Sequence, residues 1–180
     1  MAGSPFYDVD ALEQIAINLF YGWGYNFYRL ENQLRADDLL VREKACWLLG
    51  VSHGMIETEQ SAYRRKYLPP PSRAKPLPDP DAVSSAQSLE ALSASIGQLE
   101  GTIRALPAPE NDRVTQLYRQ EAETLHMLGA FDRRLVGAAD MLRQTLEGRD
   151  HEWILANLGS IQAGIALMTA TVRERQSLLK

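Results

Sequence analysis

The sequence predicts an all-α protein, an up-and-down antiparallel bundle of about five helices with heptad-like seams. Near the C-terminus, apolar residues alternate three and four apart, with Arg175 at the one skipped position. This series is Ile154, Leu158, Ile161, Ile165, Met168, Val172 and Leu179. The same rhythm recurs upstream at Leu89, Leu92, Ile96, Leu99, Ile103 and Leu106. A spacing that averages 3.5 residues indicates helices that meet other helices along a narrow seam.

Residues 1–67 are expected to form a helical hairpin rich in aromatic side chains. Its first helix is apolar on most of its circumference, which is typical of a buried helix. Asp37 and Asp38 are predicted to cap the second helix. Gly50 and Gly54 lie four residues apart on that helix, which suggests a tight helix–helix crossing.

Six of the nine prolines lie within residues 68–81, which are therefore predicted to be a semi-extended linker. The segment lacks the P-x-x-P spacing of a proline-rich recognition peptide. Asp79 followed by Pro80 indicates that a new helix begins here, with aspartate as the cap and proline in the first turn.

Residues 82–180 are expected to form a three-helix antiparallel unit, on which the hairpin could pack to make a single domain. The helices are predicted at about residues 80–106, 110–147 and 150–180. Gly148 is the expected C-cap of the second, and Asp150 the N-cap of the third. Connections this short require neighbouring helices to run antiparallel.

Composition and charge exclude several functional classes. The net charge of −4 is evenly spread, whereas nucleic-acid-binding proteins usually present a basic face. The uncharged, mostly apolar stretch from Gln14 to Tyr28 has fifteen residues, fewer than the roughly 20 that span a bilayer. Cys46 is the single cysteine, which excludes a disulfide framework and any multi-cysteine metal site. We therefore expect a cytoplasmic protein without a membrane span and without a nucleic-acid partner.

Metal binding is not predicted, and neither is a cofactor. A di-iron helical bundle needs two E-x-x-H motifs and two further glutamates. The sequence has one such motif, Glu123 to His126, and His53 and Glu57 are merely one helical turn apart. Three histidines are too few for a histidine-rich centre.

Residues 126–147 resemble part of the histidine phosphotransfer domains, which are helical bundles with an exposed histidine followed by x-L-K-G. Here His126, Leu128 and Gly129 match in part, and Gly137-Ala138 is similar to a later step in that family. The resemblance implies that His126 is a phosphoacceptor in a signalling bundle. The lysine that helps to bind phosphate is missing, and the glycine comes one residue early. We therefore predict that His126 is not phosphorylated.

No motif for nucleophilic catalysis occurs, and Cys46 lies in the middle of an amphipathic helix, where a buried cysteine is typical. The sequence therefore favours a non-enzymatic bundle that acts through protein–protein interaction as an adaptor, regulator or assembly factor. Eleven of the fourteen aromatic residues precede residue 68, and such residues are enriched at interface cores. The candidate interface residues are Phe20, Trp23, Phe27, Trp47 and Tyr63.

Two hypotheses follow from this aromatic set. A homodimer, hairpin against hairpin, would cover apolar surface that lacks a partner within the chain. The alternative is a pocket for a small ligand between the helices, lined by Trp23, Phe27, Trp47 and Tyr63.

Overall fold

The computed structural model describes residues 32–73, 76–106 and 121–178, and in the first and last of these ranges it describes side chains from Leu39 and from Met127 to Ser177. The described residues form five helices and no strand. The helices are α1 (Asn32–Tyr67), α2 (Pro80–Arg104), α3 (Glu121–Leu146), α4 (His151–Ala156) and α5 (Leu158–Leu178). The helix predicted before residue 32 lies outside the described residues.

The chain is already helical at Asn32, so the prediction that Asp37 and Asp38 cap this helix is wrong. Both aspartates lie inside α1. The backbone N–H groups there are bonded within the helix, so they need no capping side chain. The helix ends at Tyr67, and its last turn carries Arg64, Arg65 and Lys66. Cations at this end favour the negative pole of the helix dipole.

The proline-rich segment is non-helical at all its described positions up to Asp79, as predicted. Helix α2 then begins at Pro80, and the Asp79 carboxylate accepts a hydrogen bond from the backbone N–H of Asp81. The predicted cap and first-turn proline are therefore confirmed.

The predicted turn after α3 is also confirmed. Gly148 adopts a φ of +70°, the left-handed conformation that glycine tolerates best at a helix C-terminus. Two residues later the Asp150 side chain accepts from the backbone N–H of Trp153 at 2.9 Å and caps α4. The chain thus turns within four residues, and beyond α4 the helix α5 packs against α3.

The prediction of one continuous helix after residue 150 is wrong at Asn157. This residue leaves the helical conformation, with φ of −108° and ψ of 14°. Its side-chain amide donates to the carbonyl oxygen of Trp153 at 2.9 Å. Asparagine side chains compete in this way with backbone hydrogen bonding. Helices α4 and α5 are therefore separated by a single residue.

The four long helices pack in a ring, because α1 and α5 each contact both α2 and α3. Arg64 near the end of α1 pairs with Glu90 near the start of α2, and Arg42 near the start of α1 donates to the carbonyl of Leu106, so these two helices run antiparallel. Helix α4 lies across one end, against α1 and α2. The all-α helical bundle predicted from the sequence is confirmed.

One core cluster joins residues from all five helices. Every residue of the upstream heptad series is buried, from Leu89 to Leu106. In the C-terminal series Leu158 is half-buried and Leu179 lies outside the described residues. The remaining members, Ile154, Ile161, Ile165, Met168 and Val172, are buried.

The expected tight crossing at Gly50 and Gly54 is absent within the described part of the chain. A methyl group at Gly50 would meet the Glu100 carboxylate at 3.9 Å, an ordinary contact with a side chain. At Gly54 it would meet nothing within 4 Å. Gly54 instead lies on the outer surface of α1, where no helix in the described ranges covers it.

Within the described ranges, no helix combines the length and the apolar character required to cross a bilayer.

Candidate functional site

Three large apolar side chains are exposed on the first half of the described part of α1. Trp47 has 54% of its surface exposed, Leu39 has 53% and Leu40 has 39%. The Lys44 ammonium lies 4.4 Å from the centroid of the Trp47 ring, a cation–π contact one turn away on the same helix. We call Leu39, Leu40 and Trp47 the outer apolar face of α1.

Lys44 is held between this face and the interior. The residue is buried, and burial lowers the pKa of its ammonium, while the carboxylate of Asp140 opposes the shift. Asp140 is itself buried, and it accepts hydrogen bonds from Arg143 at 2.9 Å and from Gln144 at 2.6 Å. The ammonium that contacts Trp47 therefore lies within the electrostatic influence of a buried carboxylate on α3.

The structure does not bring the other described aromatic candidate to this face. Tyr63 is buried, and it is sixteen residues after Trp47, which corresponds to about 24 Å along an α-helix. Trp47 and Tyr63 therefore do not line one pocket. Phe20, Trp23 and Phe27 lie outside the described residues.

Tyr63 belongs instead to a junction between the end of α1 and the start of α4. Its ring lies 4.6 Å from that of Tyr67 and 5.4 Å, edge to face, from that of His151. Glu59 Oε2 accepts from the backbone N–H of His151 at 3.0 Å and lies 3.1 Å from its Nδ1. A carboxylate at this position complements the positive end of a helix dipole.

A second contact closes the same junction. Glu152 Oε1 accepts from the Tyr67 hydroxyl at 3.1 Å and from the Lys66 ammonium at 3.3 Å. We refer to these contacts and those of Glu59 as the α1–α4 junction. No local sequence pattern predicts this junction, because its partners are 85 to 92 residues apart.

The seam between α3 and α5 contains a buried ion pair. Arg175, the one skipped position of the C-terminal series, donates through Nε to Asp132 at 2.7 Å. The two side chains are 6% and 10% exposed. Asp132 also could have been found from the sequence, because Leu128, Asp132 and Leu135 follow the four-then-three step of a seam.

The remaining candidates for chemistry are distributed over the bundle. Burial raises the pKa of the Cys46 thiol, and the Arg104 guanidinium beside it opposes that shift, so the thiol form is favoured at neutral pH. His53 lies 3.8 Å from Glu57 on the surface of α1. In the described ranges no three His, Cys, Asp or Glu side chains are placed to hold a metal ion. His126 is on α3, but its side chain lies outside the described residues.

Comparison of this chain with protein-family models, with curated proteins and with solved structures gives no match.

Proposed function

We propose that this protein is a non-enzymatic helical bundle that acts through protein–protein interaction, and that it self-associates through its N-terminal hairpin, residues 1–67. In this role it serves as an adaptor, regulator or assembly factor. The observation that carries the proposal is the exposure of Trp47 on the outer apolar face of α1. Tryptophan is strongly enriched among the residues that dominate binding energy at interfaces.

The contact between Lys44 and Trp47 supports the proposal. A surface tryptophan that moves freely must be ordered on binding, and that ordering costs free energy. The Lys44 ammonium over the Trp47 ring restricts its motion before any partner arrives. Leu39 and Leu40 extend the apolar surface toward the part of the sequence that contains Phe20, Trp23 and Phe27.

A symmetric homodimer is the simplest assembly for such a surface, because two copies cover the same patch on each other. The proposal includes a cytoplasmic location, which rests on the single cysteine in the sequence. It includes neither a nucleic-acid partner nor a cofactor.

Light scattering of the full chain at micromolar concentration tests the proposal. We expect the mass of a dimer, and we expect Trp47→Ala to shift the population toward the monomer. Leu77→Ser is the matched control, since Leu77 is 82% exposed but lies in the proline-rich segment. A wild-type chain that remains monomeric throughout would refute self-association. A dimer equally weakened by Leu77→Ser would refute the role of α1.

A further inference from the structure

The exposed surface of α1 contains a line of four residues at intervals of seven: Leu40, Trp47, Gly54 and Ser61. Seven residues are nearly two full turns, so these positions lie along one side of the helix. All four are exposed in the described structure. The first two side chains are large and apolar, and the last two are among the smallest. We call this line the outer stripe of α1.

The order of large and small residues makes this stripe complementary to a reversed copy of itself. A two-fold axis midway between Trp47 and Gly54 places Trp47 against Gly54 of the partner subunit. The same axis places Leu40 against Ser61 of the partner subunit. An interface between two identical copies requires this reciprocal matching, in which each large residue meets a small one.

Gly54 provides the room that the arrangement needs. A methyl group added there would have no neighbour within 4 Å, so space above its backbone is open. A partner's indole ring can therefore lie directly on the helix backbone. Within the described chain, the prediction that another helix closely approaches Gly54 is wrong. The open space allows a helix of another molecule to make that approach.

The length and charge of α1 suit an antiparallel pair. The helix has 36 residues, or about 54 Å, and the axis lies close to its midpoint. In sequence it carries Asp37 and Asp38 near its start and Arg64, Arg65 and Lys66 in its last turn. Antiparallel pairing brings the acidic end of each helix alongside the basic end of the other.

We infer that α1 pairs antiparallel with α1 of a second copy of this chain, with Trp47 of each protomer seated on Gly54 of the partner subunit. This inference rests on the proposed self-association and specifies its geometry. An unrelated partner would need no reciprocal order of large and small residues, and this is why the stripe favours a second copy. A segment of the same chain before residue 32 is the competing occupant.

Two variants that block the contact in opposite ways test the inference. Trp47→Ala removes the large residue, and Gly54→Trp places a second large residue opposite Trp47 of the partner subunit. Each is expected to raise the dissociation constant of the dimer at least about thirtyfold, because each change occurs twice in a symmetric pair. Sedimentation equilibrium measures both constants. Circular dichroism verifies that each variant folds, and Gly54→Leu replaces Gly54→Trp if it does not.

Mixing the two variants gives the decisive result. In a heterodimer of Trp47→Ala with Gly54→Trp, each of the two crossing points again has one large and one small residue. We expect the mixture to recover a dimer that neither variant forms alone. Gly101→Trp is the matched control, because Gly101 on α2 is also exposed with nothing within 4 Å. It should leave the wild-type dissociation constant unchanged.

Each other outcome contradicts the inference at a defined step. If the wild type dimerises and both variants dimerise equally well, the interface lies elsewhere and self-association still holds. If both variants are monomeric and remain so when mixed, Trp47 and Gly54 do not oppose each other. If the wild type is monomeric, self-association itself is wrong, and a segment of the same chain becomes the preferred occupant of the stripe.

Discussion

The seam between α3 and α5 and the outer apolar face of α1 break the heptad pattern in opposite directions. In the seam, two charged residues, Asp132 and Arg175, occupy positions that are otherwise apolar and buried. On the outer face, Trp47 occupies a position where a polar residue is usual, and more than half of its surface is exposed.

The buried charges and the exposed tryptophan differ in whether the chain itself supplies a partner. The buried charges meet each other, and the 2.7 Å bond between them offsets part of the cost of removing both from water. The exposed indole ring has a cation–π contact with the ammonium of Lys44 from its own helix, and more than half of its surface is left to solvent. A residue of unexpected type that has its partner within the chain, as each buried charge does, indicates a structural role. A large apolar residue left exposed, as Trp47 is, indicates a place where another molecule can bind.

The largest expected effect comes from breaking the buried pair. Asp132→Leu leaves the Arg175 guanidinium in the seam without the carboxylate, and we expect the free energy of unfolding to fall by about 3 to 5 kcal/mol. Urea denaturation followed by circular dichroism measures the change. Replacing both residues, as Asp132→Leu with Arg175→Met, should recover most of the loss, because no buried charge then remains.

A neighbouring pair supplies the control. Arg134 and Glu174 bridge the same two helices at 3.7 Å, but their side chains are 35% and 55% exposed. Glu174→Ala is expected to cost less than about 1 kcal/mol, because exposed ion pairs contribute little. Equal losses from Asp132→Leu and Glu174→Ala would show that burial does not distinguish the two pairs.

Periodicity predicts the fold well because it depends only on residues that are close in sequence. The seam of α2, the caps at Asp79 and Asp150 and the turn at Gly148 all follow from local chemistry, and the structure confirms each. The wrong predictions concern residues whose side chains can either cap or interrupt a helix or lie within it, and apolar spacing does not distinguish these cases. Asp37 and Asp38 are typical cap residues but lie inside a longer helix, and Asn157 interrupts a helix whose apolar rhythm continues through it.

The candidate site was harder to predict because it depends on which face of a helix remains uncovered. Trp47 and Tyr63 are both aromatic residues on α1, and their types give no reason to separate them. Which parts of the chain pack against Trp47 and Tyr63 depends largely on residues that are distant in sequence. His151 and Tyr67 pack around Tyr63, whereas no helix of the described part covers Trp47.

The α1–α4 junction offers a prediction of intermediate size. Glu59→Ala removes the acceptor of the His151 backbone N–H at the start of α4, and the expected loss of unfolding free energy is about 1 to 3 kcal/mol. Glu57→Ala is the control on the same helix, since Glu57 is 58% exposed and should change stability by less than about 0.5 kcal/mol. Chemical denaturation of both variants decides whether the junction contributes more than an ordinary surface glutamate.

Trp47 itself should contribute little to the stability of the isolated fold. Measured at a concentration where the chain is monomeric, Trp47→Ala is expected to change the free energy of unfolding by about 0.5 kcal/mol or less. Tyr63→Ala, in contrast, should cost about 3 to 5 kcal/mol, because it empties a buried aromatic site on the same helix. A large loss from Trp47→Ala would mean that the ring is buried within its own chain and is not a surface for another molecule.

The smallest effect concerns Lys44, whose ammonium contacts the Trp47 ring. Burial lowers the pKa of Lys44 below its ordinary value of 10.5, so the unfolded chain holds this proton more tightly than the folded chain does. The contribution of Lys44 to stability therefore rises with pH between its lowered pKa and 10.5.

Lys66, at the other end of the same helix, has a raised pKa because of its hydrogen bonds to Tyr67 and Glu152. Its contribution is present below 10.5 and is lost as pH rises through the raised value.

The two lysines can be compared by measuring unfolding free energies of wild type, Lys44→Met and Lys66→Met from about pH 9 to about pH 11. Subtracting each variant from the wild type removes the titration of all other groups. The difference for Lys44→Met should increase with pH, and that for Lys66→Met should decrease. If the Lys44 difference is flat or falls, its ammonium is not desolvated beneath Trp47. Trp47 would then contact an ordinary hydrated lysine, as on any exposed helix surface.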